Sequence, residues 1–177
     1  MRRITALLLL AAALFAGPAL AQGSGTYAGV NYVWANYSAD GFPHASPTAL
    51  SFRIGQELNR NFAVEARAGF NVGADTVAYQ GQPVDVELVK AFSVYAKGIL
   101  PVTEGFALYA LAGVVGGRVS ATGPGTKVSQ SNTDLSLGAG IDLALDRHWG
   151  LALEWAQLFS GDDYKVDAAS VGLTYRY

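Results

Sequence analysis

The sequence predicts an all-β chain, folded as an eight-stranded antiparallel up-and-down transmembrane β-barrel. Three observations carry this prediction. Hydrophobicity alternates with a period of two over eight segments, which marks strands with one apolar and one polar face. The connections between them alternate between tight turns and longer stretches rich in Gly, Pro, Ser and Asp. The chain opens on an export signal, yet it contains no cysteine, and only 15% of its residues are charged.

The leader is "MRRITALLLLAAALFAGPALAQ". Arg2 and Arg3 precede an apolar run over residues 4–16, Gly17-Pro18 breaks the run, and Ala19-Leu20-Ala21 places small residues at the A-x-A positions. This is the pattern of a secretory signal peptide cleaved after Ala21. The run is shorter than the roughly 20 residues a membrane-spanning helix takes. The expected organisation is a signal peptide over residues 1–21 and one barrel domain over residues 22–177. No cysteine follows the cleavage site, which excludes a lipoprotein anchor and means that the exported domain is stable without disulfides. The leader holds two of the 12 Lys+Arg and none of the 14 Asp+Glu, so the remainder is acidic and offers nucleic acid no basic surface. Soluble domains carry about 25% charged residues, well above this chain. No later apolar stretch reaches 18 residues, so no transmembrane helix is expected.

The eight predicted strands are 27–37, 48–58, 62–72, 86–100, 106–119, 133–145, 149–159 and 168–177. In "ALSFRIGQEL", Leu50, Phe52 and Ile54 oppose Ser51, Arg53, Gly55 and Glu57. In "NFAVEARAGF", Phe62, Val64, Ala66, Ala68 and Phe70 oppose Ala63, Glu65, Arg67 and Gly69. "DLSLGAGIDLAL" opposes Leu137, Ala139, Ile141 and Leu143 to Ser136, Gly138, Gly140 and Asp142. "GLALEWAQL" opposes Leu151, Leu153 and Trp155 to Ala152, Glu154 and Ala156, and "SVGLTYRY" opposes Val171, Leu173, Tyr175 and Tyr177 to Gly172, Thr174 and Arg176. "NRN", "PVTEG" and "DRH" are the tight turns. "SADGFPHASP", the stretch around "GADTVAYQGQP", "SATGPGTKVSQSN" and "SGDDYKVD" are the longer loops.

Alternation alone does not say which face looks outward, and a soluble lipocalin-like barrel turns its apolar face inward. Three features place the apolar face in lipid. The polar face is mostly Gly, Ala and Ser, a poor solvent face but a good filling for a narrow lumen. Its charges balance, with Arg53, Arg67, Lys97 and Arg176 against Glu57, Glu65, Asp142 and Glu154. Aromatics gather near strand ends, as an interfacial girdle requires. Tyr27, Phe62, Phe106, Trp149, Tyr175 and Tyr177 fall toward the short turns, and Trp34, Phe70, Phe92 and Phe159 toward the long loops. The last strand ends on Tyr177 in mid-pattern. In a closed barrel it can do so because it pairs with the first strand and leaves no edge.

At these residues the chain resembles the small eight-stranded outer-membrane barrels of the OmpA/OmpX type. "IGQELNRNFAVEARAGF" is similar to that family's second hairpin, "VYAKGILPVTEGFALYALAGV" to its third, and "VGLTYRY" to its closing strand. The resemblance implies a protein of the cell outer membrane whose partners are outer-membrane lipids and lipopolysaccharide. It implies a lumenal salt-bridge network that plugs the pore: Glu65 and Lys97 match an inward Glu and Lys, and Asp142 sits where a third, acidic member belongs. The family's Arg on the seventh strand is replaced by Ala152, so the network must be wired differently. Arg53, Arg67 and Glu154 are the remaining expected members. The resemblance further implies that Tyr175 and Tyr177 form a C-terminal signal for the outer-membrane assembly machinery. The periplasmic peptidoglycan-binding domain that some members append has no counterpart before Tyr177.

No catalytic, cofactor-binding or metal-binding residue is expected, and the chain is expected to be a monomer. Outer-membrane lipid A palmitoyltransferases and deacylases pair a histidine with a hydroxyl nucleophile. Here His148 sits in a tight turn without a neighbouring Ser, and His44 lies in a long loop where Asp40 and Ser46 are near only in sequence. "GPGTKVS" lacks phosphate-loop spacing, "GAG" at 138–140 lies within a strand, and Asp162, Asp163 and Asp167 lack the twelve-residue calcium pattern. The long loops are the distinctive surface. They offer few of the aromatic and basic anchors an adhesive surface needs, only Phe42, Tyr79, Tyr164, Lys127 and Lys165. A structural, envelope-integrity role is therefore expected before an adhesive role toward host or surface ligands.

Overall fold

The structure is a computed structural model, and it describes residues 25–39, 42–73, 75–79, 82–123, 126–160 and 164–177. The predicted signal peptide lies outside them. The described strands are β1 (Thr26–Ala39), β2 (Phe42–Ala45), β3 (Thr48–Asn59), β4 (Phe62–Gly73), β5 (Asp75–Tyr79), β6 (Gln82–Thr103), β7 (Phe106–Gly123), β8 (Thr126–Ala144), β9 (Trp149–Ser160) and β10 (Tyr164–Arg176). Eight of them pair in the order β1-β3-β4-β6-β7-β8-β9-β10, every neighbour antiparallel. β10 then pairs back onto β1 from Tyr27↔Arg176 to Ala39↔Tyr164, and the sheet closes. Closure satisfies every edge, the condition for a β structure to cross lipid. No described helix is long and apolar enough to cross a membrane.

The period-two pattern sorts side chains as a closed barrel must. Phe52, Ile54, Phe62, Phe70, Phe92, Leu135, Leu137, Leu153, Trp155 and Leu173 are exposed on the outer surface. Arg53, Glu65, Lys97, Ala152 and Glu154, which alternate with several of them, are buried in the lumen. A soluble barrel would need the opposite arrangement. At the turn end, Tyr175 packs edge-on against Trp149 and Tyr177 at ring-centroid distances of 5.0 and 5.1 Å, and His148 stacks on it at 5.7 Å. Such a cluster suits the membrane interface.

Two aromatics assigned to the outer girdle point inward instead. Tyr27 is buried in the lumen. Its strand carries Tyr32 and Trp34 on the outside, so parity puts residue 27 on the opposite face. Phe159 is buried as well, against Ala35, Val115 and Val166. Here the cause is a β-bulge. The β9–β10 register shifts between Val166↔Phe159 and Asp167↔Gln157, so β9 holds an extra residue at Leu158. One extra residue inverts the alternation beyond it.

The long connections also differ from expectation. The stretch "SATGPGTKVSQSN" is not a loop but the tip of a continuous hairpin, with β7 and β8 paired out to Gly123↔Thr126. β5 pairs with the start of β6, and β2 folds back on the end of β1. Backbone groups pair across a hairpin whatever the polarity of the side chains, so β7 and β8 stay paired through Gly, Ser, Thr and Asn residues that a hydrophobicity pattern reads as loop.

Candidate functional site: a charged and aromatic lumen

The lumen is built in layers. At the turn end it opens as a cavity of about 80 Å³ whose lining includes Glu57, Arg60, Ile99, Ala107 and Arg176. Arg176 Nε stands 3.8 Å from Glu57 Oε1. Lys97 and Asp142 form the inner wall, joined at 2.7 Å between Nζ and Oδ2. The ammonium also lies over the ring of Tyr109, 3.9 Å from its centroid, and 5.5 Å from that of Tyr27. The desolvated cation therefore meets a carboxylate and the negative faces of two rings.

Arg67 organises the next layer. Its Nε donates to Glu65 Oε1 at 2.5 Å. Its Nη1 and Nη2 donate to the two oxygens of Glu154 at 2.5 and 2.8 Å. This is the bidentate fork that a planar guanidinium makes with a carboxylate. Glu65 is completely buried, and it also accepts from the Tyr27 hydroxyl at 2.7 Å. Glu154 also accepts from the Tyr109 hydroxyl at 2.9 Å. Arg67 lies over the Tyr95 ring at 4.9 Å, and the Tyr95 hydroxyl meets Ser136 Oγ at 2.9 Å. The guanidinium thus ties β4 to β9 across the lumen. A buried charge left without such partners costs several kcal/mol.

Of the residues singled out in the sequence, Glu65, Arg67 and Glu154 form one cluster, and Lys97 and Asp142 a second beneath it. Arg53 pairs with no carboxylate among the described residues. Its Nη2 donates to Thr174 Oγ1, while Nε and Nη1 are buried without a hydrogen-bond partner among the described residues. Ala152, where the resemblance led one to look for an arginine, is fully buried on β9, and the guanidinium comes from Arg67 on β4 instead. Three lumenal tyrosines, Tyr27, Tyr95 and Tyr109, join these layers together, and composition did not single them out as a group. Each lies over a glycine directly across the sheet: Tyr27 over Gly55, Tyr109 over Gly140, Tyr95 over Gly113. A Cβ at Gly140 would stand 2.5 Å from Tyr109 Cζ. The inward glycines are sockets for these rings, a cross-strand pattern that was present in the sequence but unreadable without the register.

Among the described side chains the remaining candidates gather no catalytic geometry, and that of His44 lies outside them. His148 belongs to the turn end, whereas Ser46, which donates to Asn36 at 3.0 Å, belongs to the opposite end. Asp40, Asp162 and Asp163 lie outside the described residues. Among the described residues no group of three or more His, Cys, Asp or Glu could hold a metal ion.

Comparison with known proteins agrees with this architecture. The model of the outer membrane protein beta-barrel domain matches residues 7–177. A search of curated protein sequences found no match. Among solved structures, the chain is similar to the attachment invasion locus protein Ail of Yersinia pestis, with a TM-score of 0.65 and 21% identity over 88% of this chain and 100% of that one. It is also similar to Neisserial surface protein A, with a TM-score of 0.64 and 16% identity over 88% and 100%. The outer membrane protein OprG of Pseudomonas aeruginosa gives a TM-score of 0.59 and 13% identity over 87% and 96%. At these identities the solved structures share the fold alone. With its closed eight-stranded barrel, lipid-facing apolar surface and match over residues 7–177, the chain belongs to the outer membrane protein beta-barrel domain family.

Proposed function

We propose that this chain is a non-catalytic, monomeric outer-membrane barrel with a structural, envelope-integrity role, and that its lumen is plugged rather than open. One observation carries the reading: Arg67 on β4 grips Glu154 on β9 with both ends of its fork while holding the buried Glu65. Glu65, Arg67, Lys97, Asp142 and Glu154 form the lumenal charge network, Arg53 lies beside it on Thr174, and eight strands leave a lumen that side chains just fill. The long hairpins face outside and the tight turns face the periplasm, the usual sense of such barrels. Lipids and lipopolysaccharide surround the apolar belt. Tyr175 and Tyr177 serve as the C-terminal assembly signal.

A second reading is favoured by the length of the central hairpins. β6 has 22 residues, and a tilted strand crosses a bilayer in about 9–11. The excess of roughly ten residues, at about 3.3 Å each, extends on the order of 30 Å along the strand. A projection of this kind suits a surface that contacts host or surface ligands, and Ail has been crystallised with the heparin analogue sucrose octasulfate. A cell lacking the protein separates the two readings. We expect it to lose resistance to bile salts, and a barrel with the 82–89 and 119–130 hairpin tips shortened to restore it. Restoration by the intact hairpins alone would favour the surface-binding reading.

A further inference from the structure

Beyond the Arg67 layer the lumen holds a cavity of about 50 Å³. Arg67 and Glu154 line it on one side, and Val115, Ala91 and Leu158 on the other. Between them Asn31, Ser51, Ser93 and Ser170 supply polar walls, and Asn31 Oδ1 is buried without a partner among the described residues. Val33, Ala49, Ala156 and Ala168 complete a wall that is apolar for the most part, but the cavity exceeds the roughly 10–15 Å³ a water needs and the polar groups give a water partners. The far side is of another chemistry. Val115 packs with Ala35, Phe159 and Val166, each of them at most 3% exposed, with Tyr37, Ala91 and Leu158 against them. These side chains come from β1, β6, β7, β9 and β10. The β9 bulge turns Phe159 inward, and its ring reaches Gly117 on β7, where a Cβ would stand 2.9 Å from Cζ.

We propose that the lumen is closed twice in series: by the Arg67 layer, and by an apolar seal centred on Phe159, with a small chamber between them. The inference rests on the reading of a plugged lumen and adds a second barrier to it. An ion entering the cluster gives up its hydration against side chains that, Tyr37 apart, carry no polar atom, so a dry constriction blocks passage without any charge. Loss of the ionic layer alone therefore leaves the barrel closed.

The test compares refolded barrels in planar bilayers, with the compact heat-sensitive gel band as the check on folding. Arg67→Met with Glu154→Gln weakens the ionic layer, Phe159→Ser weakens the apolar seal, and a third variant combines the three changes. Wild type and the first two variants are expected to conduct at least tenfold less than the combined variant. Conductance of the Arg67→Met, Glu154→Gln variant equal to that of the combined one would overturn the second seal, as would a folded combined variant that stays closed. A wild type that already conducts at the combined level would instead refute the plugged lumen itself. A second measurement uses the absence of cysteine from the chain. Ser93→Cys places a thiol on the chamber wall, and in detergent a small cationic thiol reagent should modify it at least tenfold faster when Phe159→Ser is also present. Equal rates would overturn the proposal even if the combined variant fails to fold.

Discussion

Replacing Lys97 by alanine tests the lower ionic layer in isolation. Lys97 is buried and Asp142 is its carboxylate partner at 2.7 Å, with a side chain only 12% exposed. Removing one member of a buried pair costs about 3–5 kcal/mol, because the other charge stays behind without compensation. Two features of the site set the figure within that range. Asp142 borders the 80 Å³ cavity at the turn end, which Arg60 and Arg176 also line, so the stranded carboxylate has a route to solvent and to other cations. That favours the lower end, about 3 kcal/mol. Lys97 also stands over the Tyr109 ring at 3.9 Å, and losing a desolvated cation–π contact adds on the order of 1 kcal/mol. The expected loss is therefore about 4 kcal/mol. With a urea slope of about 1–3 kcal/mol/M, the unfolding midpoint of the refolded barrel in detergent should fall by about 1–4 M. The double variant Lys97→Ala, Asp142→Ala should fall less than the single one, since no charge is stranded. A single variant as stable as wild type would show that Asp142 is hydrated from the cavity, and that the pair holds nothing together. A double variant that falls as far as Lys97→Ala or further would refute the argument about the stranded charge.

Other expectations can be checked on the same preparation. Arg67→Lys should destabilise by about 2–5 kcal/mol in the same denaturation assay, because one ammonium cannot reproduce the fork to Glu154 and the bond to Glu65 together; a midpoint unchanged from wild type would deny the fork a stabilising role. Gly140→Ala should cost about 1–3 kcal/mol by overpacking against Tyr109, and adding Tyr109→Phe should not relieve it, since the ring carbon and the Leu153 carbonyl, both 2.5 Å from the added Cβ, remain. Asp146, exposed in the turn after β8, accepts from the amides of Trp149 and His148, each at 2.7 Å, and these bonds hold its carboxyl below the ordinary range. A carboxyl depressed by folding stabilises its turn above its unfolded value of about 3.9, and the contribution disappears as pH falls through the lower folded value. Carbon-detected titration should therefore find the Asp146 midpoint below about 3.9, and a midpoint at or above it would contradict the turn geometry. Tyr177→Ala should lower the yield of the compact band from cell membranes far more than the yield on refolding into detergent; equal losses would make Tyr177 an ordinary strand residue.

Much of the barrel is local in origin. Alternation in "NFAVEARAGF" is a property of ten consecutive residues, and the backbone pleat converts it directly into an outer Phe70 and an inner Glu65. The same reasoning applies to "DLSLGAGIDLAL", and the tight turns at "NRN" and "DRH" were equally visible. The inward charges could be named because acidic and basic residues on the Gly- and Ala-rich face have no other place to go. Their partners could not. Arg67 and Glu154 are 87 residues apart, and only the shear of the closed sheet brings β4 and β9 to the same height across the lumen.

What the sequence by itself determined is therefore the alternating core of the eight strands and, apart from Tyr27 and Phe159, the face that its named residues present, because both follow from a period of two; β2, β5 and the outer ends of β6, β7 and β8 came only from the structure. The Tyr27 parity was written in Tyr32 and Trp34 all along. The tertiary structure alone decided the register that sets Tyr109 over Gly140, the choice of Asp142 for Lys97, and the bulge that swings Phe159 into the lumen. These depend on how two distant strands are offset, and a shift of one residue exchanges every inward neighbour for an outward one without changing either strand's own pattern.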